Sequence, residues 1–108
     1  MKLYILEEKN PVECSDVLKW GKWLEKANRR VALTKVEAIE ISTVFLGLDH
    51  STTDSFPILF ETMVFGGDLD QECKRYSTYE EAETGHKKMV ERVEEYYSGV
   101  SRKIDFLS

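Results

Sequence analysis

Residues 41–67 read ISTVFLGLDHSTTDSFPILFETMVFGG, two apolar runs separated by a short polar segment. Each run has the length and the Ile, Val and Phe content of a strand. The segment between them, residues 49–56, is short enough to close an antiparallel hairpin. Side chains two apart on a strand share a face. In the first run Ile41, Thr43, Phe45, Gly47 and Asp49 therefore lie together, opposite Ser42, Val44, Leu46, Leu48 and His50. In the second, Leu59, Glu61, Met63 and Phe65 oppose Ile58, Phe60, Thr62 and Val64. Buried polar groups cost free energy unless they are hydrogen-bonded. Thr43, Asp49, His50, Glu61 and Thr62 must then either tie the fold together or line a site.

Working outward, residues 2–6 form a short strand closed by the turn signal Asn10-Pro11. Ser15 or Asp16 can cap a helix running to about residue 27, with Val17, Trp20, Leu24 and Ala27 on one face. Residues 31–36 alternate weakly as a second strand, residues 39–48 and 57–65 are the third and fourth, and residues 72–76 a fifth. Gly66-Gly67-Asp68 supplies residues that tolerate positive φ after the fourth. Residues 77–81, STYEE, hold two overlapping capping boxes, Ser77 with Glu80 and Thr78 with Glu81. They open a second helix from about 79 to 97, whose stripe is Tyr79, Ala82, His86, Met89, Val90, Val93, Tyr96 and Tyr97. Gly85 costs that helix about 1 kcal/mol against Ala, so a backbone or a bulky ring is expected to pack against it. Ser98-Gly99 reads as the helix end, and residues 101–108 as a tail or an extra edge strand. The order β-α-β-β-β-β-α predicts an α+β fold, one antiparallel sheet of four to five strands with two helices packed on one face.

The chain has 108 residues, 42% of them hydrophobic and 32% charged, which fits a single domain spanning 1–108. No apolar run approaches the length of a bilayer span, and the first residues lack a signal-peptide core. A soluble, cytoplasmic protein is expected. Cys14 and Cys73 belong to no CxxC pair and are expected to be reduced, with a long-range disulfide as the alternative. The net charge of −5 is uneven. Residues 1–38 hold eight Lys/Arg against six Asp/Glu, whereas residues 39–108 hold seven against fourteen. Direct nucleic-acid binding, which rests on clustered cations, is not expected. An acidic surface could instead meet a basic protein.

Several residues stand out as candidate binding groups. Glu61 has large apolar neighbours on its own face and would need a cation or a donor, or else hold a raised pKa. One reading makes Asp49, His50 and Glu61 a small polar pocket; the other has Asp49 and His50 satisfy loop backbone while Glu61 pairs with Arg75 on the next strand. His86 lies on an apolar stripe, where a satisfied core histidine competes with a ligand. Lys19, Lys22, Lys26 and Arg30 fall at helical spacing and would suit a phosphate or an acidic partner, with Trp20 or Trp23, the latter off the main apolar face, available to stack. Two separated histidines make no metal site. No P-loop, nucleophile elbow, HExxH or GxGxxG is present, so catalysis has no positive support and no cofactor is implied.

The segments LKWGKWLEKANRRVALTKV, ISTVFLGLDH, LFETMVFGG, RYSTYEEAETGH and MVERV resemble, as a set, a family of small phage and prophage proteins of uncharacterised activity. The likeness covers roughly residues 17–93; the hairpin loop STTDSFP and the tail KIDFLS depart from it. It implies a phage accessory protein in the bacterial host cytoplasm, a non-enzymatic binder that interferes with host machinery and acts in counter-defence. Such a protein would mask a host protein or sequester a nucleotide signal. The alternatives are a small hydrolase using His50, Asp49 and Glu61, or a phage structural or assembly factor. A one-sided sheet also leaves a surface that homo-oligomerisation would cover.

Overall fold

The computed structural model describes residues 1–53 and 56–107, with side chains through residue 99. It has the expected α+β architecture and element order, with the first strand doubled into a hairpin. The elements are β1 (Tyr4–Glu7), β2 (Asn10–Glu13), α1 (Val17–Lys26), β3 (Arg30–Val36), β4 (Ile39–Phe45), β5 (Phe60–Phe65), β6 (Cys73–Tyr76) and α2 (Tyr79–Leu107). β3, β4, β5 and β6 form an antiparallel sheet in that spatial order, while β1 and β2 make a separate two-stranded sheet.

β2 corrects the reading of Asn10-Pro11 as a turn. The chain reverses at Glu8 and Lys9, with Glu8 at φ 58°, and Pro11 lies on β2 opposite Leu6. Proline is tolerated there because a two-stranded sheet has only edge positions. The hairpin is fastened to the chain beyond β4: the Tyr4 amide donates to the Gly47 carbonyl at 2.9 Å and the Asp49 amide to that of Lys2 at 3.1 Å. Gly47 takes φ 78°, and its carbonyl also accepts the Trp20 indole N–H from α1 at 3.0 Å.

The alternation read from residues 41–67 places the core. Ile41, Thr43 and Phe45 of β4 and Phe60, Thr62 and Val64 of β5 are fully buried beneath α2. Two apolar clusters result. Ile39, Ile41, Val64, Leu69, Met89 and Val93 form one, and Phe45, Leu59, Phe60 and Ala82, with Trp23, Tyr76 and Tyr79 against them, form the other. Among the described residues no helix covers the opposite face of the sheet. Leu33 and Phe65 are exposed on it, and Val44 and Met63 half-buried.

Both helix starts follow sequence signals. Asp16 caps α1, its carboxylate accepting the Leu18 and Lys19 amides. The Thr78–Glu81 capping box closes in both directions at 3.0 and 3.1 Å, whereas the Ser77–Glu80 box is not used. The expected stop at Ser98-Gly99 is overturned, because α2 continues to Leu107 and residues 101–107 are helix, neither tail nor strand. Gly99 keeps a negative φ, so it does not form the left-handed turn that ends a helix and costs only about 1 kcal/mol in place. Cys14 is buried, Cys73 is exposed on β6, and both are free thiols.

Candidate functional site

The register of the sheet separates the expected polar pocket. Asp49 is an anchor for the hairpin loop: its Oδ1 accepts the Ser51 amide at 2.8 Å and the Ile58 amide at 3.0 Å. The Ser51 amide above all holds the Asp49 carboxyl below the ordinary carboxylate range, against the opposing effect of burial. The His50 backbone donates to the Ile58 carbonyl at 2.9 Å. Glu61 sits three residues further along, about 10 Å at strand rise, opposite Val44 and Arg75. Its Oε2 accepts the Arg75 Nε at 2.9 Å. Glu61 therefore lies on the uncovered face, with a cation, and not within a closed apolar layer. Asp49, His50 and Glu61 do not converge.

The basic stripe is also broken. Lys19, Lys22 and Lys26 are exposed on α1, but Arg30 lies beyond the helix as the first residue of β3, its amide bonded to Asn28 Oδ1. Trp23 is no free stacking platform, since its ring meets Phe45 edge-on, centroids 5.8 Å apart, and closes the second core cluster.

His86 is the fully committed histidine. Only 4% exposed, it lies between the two apolar clusters. Its Nε2 bonds Thr34 Oγ1 at 2.8 Å and its Nδ1 bonds Thr43 Oγ1 at 2.7 Å, while Thr43 bonds Thr62 Oγ1 at 2.5 Å. Four side chains from β3, β4, β5 and α2 thus make one polar layer in which both ring nitrogens are satisfied. Burial pushes the His86 pKa down. A neutral imidazole suits three hydroxyls, each able to donate or accept. The layer explains Thr43 and Thr62, which sequence reasoning flagged without partners.

One concavity that the sequence did not predict is a groove of about 580 Å³ between β6 and α2. Lys74 and Tyr76 line it from the strand, Gly85, Lys88 and Met89 from the helix. Gly85 has no side chain because the Tyr76 ring occupies the space of a Cβ, the packing its place in the sequence called for. Arg92 of α2 bridges to Glu72 beside it through Nε and Nη2. Among the described residues, Lys74 and Lys88 have no carboxylate partner, and the Tyr76 hydroxyl is the one buried side-chain polar atom without a hydrogen bond. Gly85 was the signal available in the sequence; nothing in it marked Lys74.

The chain matches no family model, no curated protein and no solved structure. The reading of its site rests on its own geometry. Among the described residues no three His, Cys, Asp or Glu side chains gather as a metal site, and no helix is long and apolar enough to cross a membrane.

Proposed function

We propose that this chain is a small phage-encoded binding protein that interferes with host machinery, acting in counter-defence by masking a host protein in the bacterial cytoplasm. The observation that carries a binding reading is the groove between β6 and α2, a sizeable concavity beside a strand edge, holding two lysines without a carboxylate partner among the described residues. The placement of the other chemical groups also favours binding over turnover. Asp49 braces a loop, Glu61 holds Arg75, and His86 is spent on threonines. The phage origin and the role against host defence are supported by the sequence resemblance alone, and the choice of a host protein over a nucleotide follows from the shape of an open groove.

The test is expression in a bacterial host, gentle purification and native mass spectrometry, with phage plating on hosts carrying or lacking defence systems. A stoichiometric host polypeptide in the retained complex, with plating rescued only on the defended host, is the expected result. A retained nucleotide would replace masking by capture. Turnover of a nucleotide that is lost in Glu61→Gln with the fold intact would overturn the non-enzymatic reading altogether. Light scattering on the same material decides whether the chain self-associates.

A further inference from the structure

β6 is the last strand of its sheet, and its hydrogen-bond pattern shows which groups are spare. The Val64 amide donates to the Glu72 carbonyl at 3.0 Å, and Thr62 and Phe60 lie opposite Lys74 and Tyr76. In an antiparallel pair the bonded residues alternate along each strand. Glu72, Lys74 and Tyr76 therefore face β5, and the N–H and C=O groups of Cys73 and Arg75 point outward with no neighbouring strand among the described residues. The other free edge, β3, is broken by a register shift between Arg30 and Ala32. Such a bulge twists an edge away from further pairing. β6 pairs regularly from Cys73 to Tyr76, and it is the edge that borders the groove.

The two features are one surface. A strand laid beside β6 would bond to Cys73 and Arg75, and every second side chain of it would point to the α2 side, over Gly85 and Met89 and between Lys74 and Lys88. Charged residues on an edge ordinarily discourage pairing. Here they select: Lys74 and Lys88 oppose a basic strand, leave an apolar one with two unanswered ammonium groups, and favour a strand carrying carboxylates. Of the groove's own acids, Glu72 is held by Arg92 and Glu81 by the Thr78 amide, and Glu80 makes no ion pair with either lysine among the described residues. Pairing with a second copy of this chain is disfavoured by the same charges. The register that would bond Cys73 of one copy to Arg75 of the other sets the two Lys74 side chains directly opposite each other.

We infer that the β6–α2 groove binds an extended, acidic segment of a partner polypeptide as an added strand on the edge of β6. This rests on the binding function proposed above and specifies the chemistry of its partner. Affinity would come from main-chain bonds at Cys73 and Arg75, and selectivity from Lys74 and Lys88.

The test pans a display library of random twelve-residue peptides against the intact protein, then measures the best synthetic peptide by fluorescence anisotropy and amide hydrogen exchange. The expected peptides carry Asp or Glu at alternate positions, and they slow exchange of the Cys73 and Arg75 amides. Lys74→Glu with Lys88→Glu should weaken binding at least tenfold, with an unchanged circular dichroism spectrum. Cys73→Pro removes an outward N–H and should weaken binding to a similar degree, whereas Cys73→Ser, which keeps it, should not. Cys73→Ser also guards against a fold defect at that position, and the charge reversal is independent of both. The inference is overturned if no peptide is enriched, or if enriched peptides bind the charge-reversed protein equally well. Protection of Cys73 and Arg75 that rises with protein concentration in the absence of peptide overturns it in favour of a second copy. A host protein retained equally by wild type and by the charge-reversed variant removes the groove as the site and leaves the masking function standing. Edge-dependent peptide binding with no retained host protein does the reverse.

Discussion

Thr43→Val tests the polar layer most directly. The substitution keeps the shape of a fully buried side chain and removes one hydroxyl. That hydroxyl holds two partners, His86 Nδ1 at 2.7 Å and Thr62 Oγ1 at 2.5 Å. Orphaning a buried ring nitrogen costs about 1–3 kcal/mol, and losing the hydroxyl pair about 1 kcal/mol more. A buried methyl in place of the hydroxyl returns about 0.8 kcal/mol. The net loss is about 1–3 kcal/mol, or roughly 4–15 °C in Tm for a domain of this size. Urea unfolding followed by tryptophan fluorescence at pH 7.5 measures it. Ser42→Val is the internal control: one residue earlier, it faces the uncovered side of β4 and should stay within about 0.5 kcal/mol of wild type. Adding Thr62→Val to Thr43→Val should cost less than Thr62→Val does alone, by about 1 kcal/mol of coupling, because the pair is already broken. If Thr43→Val matches wild type, or if Ser42→Val is the costlier change, the register and the layer built on it are wrong.

Three further outcomes follow from other parts of the fold. Because burial lowers the folded-state pKa of His86, the unfolded chain takes up the proton first as pH falls. Stability should be flat above about pH 6.5 and fall below it by up to about 1.4 kcal/mol per pH unit; a His86→Leu variant should lack this component, and an equal slope in both proteins would contradict it. Gly67 has φ 68° and no room for a Cβ beside the Tyr97 hydroxyl, which itself accepts the Asp68 amide at 2.9 Å. Gly67→Ala should cost about 1–3 kcal/mol in backbone strain alone, while Gly21→Ala on α1, with open space around it, should be neutral or stabilising in thermal melts. Thr78→Ala opens the capping box of α2 and should cost about 1 kcal/mol, read by denaturation, with no change expected from Ser77→Ala.

The legible parts of this fold were those governed by local rules. Ile41, Thr43 and Phe45 declared their face by alternation, Thr78 and Glu81 declared a helix start, and the Glu61–Arg75 pairing followed from strand succession. The failures were places where a local signal was outweighed. Asn10-Pro11 looked like a turn because proline usually interrupts a strand, yet an edge strand needs no N–H from Pro11. Ser98-Gly99 looked like a stop, but glycine ends a helix only when it adopts positive φ. The candidate site was harder still. Whether His86 meets Thr34 and Thr43 depends on the angle at which α2 crosses the sheet, and the groove exists only because β6 is outermost; neither fact is written in any short segment.

The polar layer has a consequence for how this core tolerates change. Along β4 the buried side chains run Ile41, Thr43, Phe45, along β5 Val64, Thr62, Phe60, and along α2 Val93, Met89, His86, Ala82. Each element carries its hydroxyl or imidazole between oily neighbours, so the layer acts as a locating pin. A slide of α2 by one turn would set Ala82 or Val90 against the threonines and bury their hydroxyls unanswered. An all-apolar replacement of Thr34, Thr43, Thr62 and His86 could equal or exceed the natural protein in stability. It would do so by removing the only polar key among the described core contacts, so that neighbouring alignments of helix on sheet come close in energy. The surface that depends most on that alignment is the one between α2 and β6, whose width is set by where Gly85 meets Tyr76.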